Sequence, residues 1–203
     1  MENKTAQILS WILHPMIMPT YAILLMFSQD AYFVLIIPER LRLVLAGLIF
    51  ANTFVLPLIF IWMMHRRGII SSLQMPERSE RTFPFAITAL FFAATWFMMQ
   101  NLGLPGVYFL FIIGGAVLVS VALIVNLFWK ISIHMMGMGG LLGGFIGLSL
   151  RMFVDAPALI ILLILLSGLT GFARLKLNTH NSSQVYVGFI AGVSIMLGVL
   201  YFL

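Results

Sequence analysis

Apolar residues run through this chain in long blocks, parted by short polar stretches. Seven blocks are candidate membrane spans, at roughly 8–28, 41–64, 84–101, 105–128, 132–152, 157–173 and 184–203. Crossing a hydrocarbon core takes about 20 predominantly apolar helical residues. Some blocks fall short of that, so six is the lower count. The expected fold is an all-α, polytopic membrane helical bundle of six to seven transmembrane helices. It forms a single integral-membrane domain over 1–203, since no linker is long enough to join a second.

Prolines and glycines refine this outline. Pro84, Pro105 and Pro157 fall near span starts, where a missing N–H costs little. Pro15 and Pro19 in "HPMIMPTY", and Pro57, lie inside the first two spans, where kinking is the ordinary reading. In "GMGGLLGGFIG", Gly139, Gly143 and Gly147 repeat every four residues, as do Gly140 and Gly144. Such small-residue faces let helix backbones approach closely in lipid. A phosphate-cradling glycine loop would need a strand before it and a basic residue after it, and the sequence has neither.

Composition narrows the class further. With 62% hydrophobic and 8% charged residues, the chain has too little charge to solvate the surface of a soluble domain. The start "MENKTAQILSWILHP" lacks a basic segment followed by a small-residue cleavage site, so no removable signal peptide is expected. The absence of cysteine excludes disulfides, thiol nucleophiles and thiolate metal sites. The net charge of +5 rests on 11 Lys and Arg, which as span-flanking residues suit lipid headgroups and topology; nucleic acid is not an expected partner.

The polar stretches are unevenly placed. "HRRGIISSLQMPERSER" (65–81), "WKISIH" (129–134) and "ARLKLNTHNSSQ" (173–184) are each two spans apart, so seven spans bring them to one membrane face. The other face has "SQDAYFVLIIPERLR", "NLGLP" and "RMFVDAP". Ionisable groups at membrane depth are costly and mark function by default. Histidines, guanidinium and ammonium groups with few carboxylates describe a site for an anion. Phosphate suits it, because Arg binds phosphate bidentately and helix N-termini add oriented N–H groups.

The segment "ARLKLNTHNSSQVYVG" resembles the third signature of the type 2 phosphatidic acid phosphatase superfamily, SRxxxxxHxxxD followed by a small-residue helix. Arg174 and His180 have its spacing, and Gln184 stands at the usual Asp position. The pattern "HNSSQV" is similar to the glucose-6-phosphatase branch. "ISIH" resembles the second signature, PSGH, keeping Ser132 and His134 with Ile133 at the glycine position. The first signature, KxxxxxxRP, is not matched; "ERSERTFPF" offers Arg78 and Arg81 ahead of Pro84 instead. The resemblance covers about residues 66–195.

That resemblance implies a phosphatase that needs no metal or other cofactor. His180 would attack phosphorus to form a phosphohistidine, which water hydrolyses. Gln184, four residues on and on the same face if the segment is helical, would accept from Nδ1–H and leave Nε2 free. His134 would protonate the leaving oxygen. Arg174, Lys130, and Arg78 or Arg81 or both would hold the phosphoryl charge, with Ser132 beside them. The ordinary alternatives are structural. Arg78 and Arg81 would then anchor topology with Glu77 and Glu80, Lys130 would snorkel to headgroups, and His14 and His65 would be structural.

A phosphate site at headgroup level meets amphiphiles that enter laterally. The expected partners are therefore the bilayer and a phosphorylated lipid, such as a polyprenyl or glycerolipid phosphate; a homo-oligomer is compatible with the bundle. The expected location is a cell's inner or plasma membrane. The competing class is a non-catalytic bundle of the same fold, serving as a binding, assembly or lipid-carrier subunit. The site face has Lys4, Arg66, Arg67, Arg78, Arg81, Lys130, Arg174 and Lys176 against Arg40, Arg42 and Arg151. Without Arg78, Arg81, Lys130 and Arg174 the balance is four to three, so basic residues do not assign the site to one side of the membrane.

Overall fold

The computed structural model describes residues 2–203, which form helices joined by short turns; there is no strand among the described residues. Seven helical segments are long and apolar enough to cross a membrane: Asn3–Phe27, Glu39–Arg66, Ser79–Leu102, Gly106–Phe128, Ile133–Met152, Pro157–Lys176 and Ser182–Phe202. The chain is thus a multi-pass, all-helical membrane protein. Its outward-facing apolar residues, such as Leu43, Phe97, Ile124 and Phe172, are what a lipid-facing surface requires.

The first span is broken. α1 (Glu2–Ile12) ends at Leu13, and a 3₁₀ turn (Pro15–Ile17) leads into α2 (Met18–Phe27). Proline disfavours helical geometry in the residue before it, and His14 is extended at φ −70°, ψ 135°. Its Nδ1 accepts a hydrogen bond from the Met16 N–H, and the freed Ile12 carbonyl accepts from the Tyr21 hydroxyl at 2.9 Å. The break is more than the kink expected from Pro15 and Pro19, because it redirects the chain. α1 packs on α9 (Pro157–Lys176), while α2 packs on α4 (Glu39–Phe50) and α7 (Gly106–Phe128). A short α3 (Tyr32–Leu35) lies between α2 and α4, and Arg42 bonds the carbonyls of Val34 and Ile37 at its end.

The second span is continuous but contains a π-turn, Ala51–Val55, between α4 and α5 (Leu56–Arg66). Pro57 has no N–H for the carbonyl one turn back, and the ladder widens just before it, with Leu56 N–H donating to Ala51. α6 (Thr82–Met99) and α7 follow as an antiparallel pair.

The bundle is organised around α8 (Ile133–Met152), whose span is 67% buried, against at most 39% for any other. Its main partner is α10 (Ser182–Phe202). A Cβ on Gly139 or Gly143 would meet the α10 backbone at Phe189 or Val193, and one on Gly147 would lie 2.8 Å from Leu200 Cβ. In return, Gly188 would meet the Ser132 carbonyl at 2.7 Å, and Gly192 the backbone of Met136 and Gly140. Contacts advance together along both chains, so the two helices are parallel and close. Gly140 and Gly144 face Leu118, Phe111 and Met196 instead. Between apolar helices in lipid, such packing replaces the hydrophobic effect as the associating force.

Gly143→Ala should therefore lower the thermal midpoint in detergent, at a cost of about 1–3 kcal/mol typical of overpacking. Gly198 has nothing within 4 Å of an added Cβ, so Gly198→Ala should be neutral or slightly stabilising through helix propensity. Thermal unfolding of both variants checks the contrast.

Candidate functional site

Because α8 and α10 are parallel and in backbone contact, their N-termini end side by side. The Ser132 N–H donates to the Gln184 carbonyl at 3.3 Å, joining the two starts directly. Around this junction converge the end of the 66–81 loop, residues 130–134, and 174–184.

Much of the polarity in 173–184 closes one helix and opens the next. Asn178 takes a left-handed conformation (φ 51°) after α9, and the Thr179 N–H and hydroxyl both donate to the Arg174 carbonyl. Asn181 caps α10: its Oδ1 accepts from the Gln184 N–H at 2.9 Å, and Gln184 Oε1 accepts from the Asn181 N–H at 3.3 Å. His180 stands just before the cap, outside the helix. His180 pairs with Gln184 as the spacing suggests, but from outside the helix, because Asn181 caps α10 between them and ends the turn there.

The box also orients His180. His180 Nδ1 lies 3.0 Å from Gln184 Oε1. The Asn181 N–H requires an acceptor at that atom, which fixes the amide with its oxygen toward the histidine. Nδ1 thus bears the proton as donor, and Nε2 keeps a lone pair. His180 is buried, and burial first, then the charges of Arg174, Arg81 and Lys130, lower its pKa from 6.5 to about 3 against the opposing Gln184 bond. It is neutral at ordinary pH.

The cations are delivered by three elements. Arg81 ends the 3₁₀ turn Ser79–Arg81 before α6, and its Nε donates to the Met75 carbonyl at 2.9 Å. The loop it closes is pinned by Ser71 N–H to Glu80 Oε1 and by Asn126 Nδ2 to the Arg78 carbonyl. Lys130 follows α7, and burial first, then Arg81, lowers its pKa, partly offset by Glu77. Arg174 comes from the last turn of α9, with Nη1 on Ser10 Oγ at 3.3 Å and Nε buried without a partner. Ser132, fully buried as the N-cap of α8, also has a hydroxyl without a partner. Unpaired buried donors are uncommon in native folds. Two of them beside a cationic, neutral-histidine cluster suit an anionic oxygen.

His134 joins the cluster differently. It lies within electrostatic reach of Arg174 and His180, but its Nε2 is 3.2 Å from the Ser10 carbonyl. Its ring meets His14 edge-on at 5.3 Å. Nε2 is therefore a donor to α1. Ile133, at the first position of α8, sends its side chain into the core. Arg78 is exposed, and its carbonyl, bonded by Asn126, is the part of it tied into the bundle. His65, at the end of α5, is paired with the Ile70 carbonyl away from the cluster. Ser10 and His14 are the participants that sequence reasoning missed. Only the His-Pro step carried a signal, and Ser10 carried none.

No family model, curated protein or solved structure matches the chain.

The neutral state of His180 is directly measurable. An imidazole titration in micelles should give a midpoint far below 6.5, near 3. Arg174→Gln removes a like charge and should move the midpoint up. A folded-state pKa below the unfolded one gives stability that is present above pH 6.5 and lost as pH falls toward 3. His180→Gln should flatten that part of the melting-temperature profile.

Proposed function

We propose that this protein is an integral-membrane phosphatase that hydrolyses a lipid phosphate monoester or diphosphate through a phosphohistidine on His180. The reading makes it a divergent relative of the type 2 phosphatidic acid phosphatases, with the superfamily core over about 66–195, in a cell's inner or plasma membrane. One observation carries it. The Nε2 lone pair of His180, left free by the Gln184 bond, sits among Arg174, Arg81 and Lys130 at the meeting of two helix N-termini.

The chemistry follows from those groups. Nε2 forms a bond to phosphorus as the phosphorus–oxygen bond to the leaving group breaks. Nδ1 stays protonated on Gln184, and the resulting positive ring is offset by the phosphoryl charge. The three cations, the open Ser132 hydroxyl and Arg174 Nε stabilise the equatorial oxygens as negative charge spreads over them. A neutral Gln orients the ring as Asp would, without adding negative charge near a phosphate dianion. The departing oxygen takes a proton from His134 in its imidazolium form, which the charge of the bound phosphate favours, once Nε2–H has left the Ser10 carbonyl. Water then attacks phosphorus and gives a proton back to His134, the nitrogen–phosphorus bond breaks, and inorganic phosphate departs.

A second reading is a lipid-phosphate binding or carrier bundle without turnover. The commitment of His134 Nε2 to Ser10, which leaves no free acid in this state, favours it.

Phosphate release from a long-chain lipid phosphate by the purified protein separates the two. The phosphatase reading expects release that falls roughly a thousandfold or more in His180→Ala, and a phosphoryl group trapped on His180 in His134→Ala with an activated aryl phosphate. Gln184→Asp should change the rate less than about tenfold, or about 1.4 kcal/mol of barrier, whereas Gln184→Leu should lower it further. No release by the wild type, with saturable lipid-phosphate binding intact, would establish the carrier.

A further inference from the structure

We propose that α1 is a gate over the anion site, held shut by Ser10 acting as a neutral stand-in for the anion. The proposal rests on the anion-binding part of the reading above, and adds how access to the site is controlled.

Ser10 offers two acceptors to two site donors. Its hydroxyl oxygen accepts from Arg174 Nη1 at 3.3 Å, and its carbonyl accepts from His134 Nε2 at 3.2 Å. One small residue thus connects the cation of α9 to the histidine of α8, from a helix that belongs to neither. A phosphoryl group would present oxygens to the same two donors. His134 Nε2 has a single hydrogen to give, and an anion that takes Arg174 Nη1 together with its open Nε displaces the Ser10 hydroxyl, so Ser10 and the anion compete.

The construction of α1 suits a moving part. Its inward stripe is Ala6, Ser10 and Leu13, at helical spacing, while Ile8, Trp11 and Ile12 face outward. It rests on α9, and the chain leaves it through Leu13 and the extended His14 instead of through continued helix. Rotation at that break would lift Ser10 while α2 stays seated on α4, α7 and α8, at the cost of the Tyr21 hydroxyl bond to the Ile12 carbonyl. Both Ser10 bonds are long, and neither acceptor is charged. An anion at Arg174 forms a charge-assisted bond of about twice the strength of a neutral one. The closed state therefore seals the cationic cluster when it is empty, and gives way when an anion arrives. Opening also frees His134 Nε2–H, so the same movement that admits the substrate would release the acid.

The test uses the full chain in detergent, with radiolabelled inorganic phosphate as the probe. Ser10→Ala removes the hydroxyl acceptor and leaves the rest of α1 intact. Phosphate should bind roughly three- to tenfold more tightly to it than to the wild type, up to about 1.4 kcal/mol. The chain has no cysteine, so Ala6→Cys provides a single buried thiol on the inward stripe. Its reaction with a water-soluble maleimide should speed up severalfold when phosphate is added; Leu9→Cys serves if that variant does not fold. Equal or weaker phosphate binding by Ser10→Ala would overturn the gate and make Ser10 part of the lining, while leaving the anion site standing. Tighter binding with no change in thiol reactivity would also overturn it, since competition would then occur without movement. If neither protein binds phosphate, the anion site fails and the gate fails with it. Binding by Ser10→Ala alone would be the strongest support.

Discussion

Everything at the candidate site depends on how closely two backbones approach. α8 and α10 meet through Gly139, Gly143, Gly188 and Gly192, in parallel and nearly in register. Side chains at those positions would hold the helices apart by the thickness of a methyl group or more. The consequence lies at the ends. Ser132 reaches the Gln184 carbonyl, and the positive ends of two helix dipoles lie side by side. The fold builds a region of positive potential from packing alone, before any charged side chain is added.

Arg81, Lys130 and Arg174 add to that potential from three further helices, and they reinforce what burial does to His180. Burial first, and then the charges of Arg174, Arg81 and Lys130, keep a second proton off this imidazole at ordinary pH. The neutral ring keeps one lone pair, and Gln184 decides which nitrogen holds it. His134 is governed by a different neighbour, α1, so the two histidines are held by independent devices.

The span pattern was legible because apolar length is a direct consequence of bilayer thickness. Six to seven spans are expected from the sequence, the seven found lie within about five residues of the expected bounds, and the glycine face of α8 is readable from its four-residue period. The convergence of 66–81, 130–134 and 174–184 followed from counting crossings. What the sequence did not disclose was local geometry. His180 and Gln184 are four apart, which suits a helix, yet Asn181 between them caps better than it propagates. Pro15 and Pro19 signalled a disturbance without saying that α1 would turn toward α9. Ser10 contacts the site partly through a backbone carbonyl, which every residue has, so no pattern of side chains could mark it.

The π-turn at Ala51–Val55 has a reach that its position in the second span conceals. A π-turn holds one residue more than an α-turn, so the helix beyond it is rotated by about 100° from where an unbroken helix would have it. Ile61 and Met64 point inward on that rotated stretch, where they pack with Ile70 and with Met75 in the following loop. Shortening the turn by a residue would send both toward lipid and move the anchor on which that loop folds. The Met75 carbonyl holds Arg81, so an irregularity deep in the bilayer sets the aim of a guanidinium at its surface.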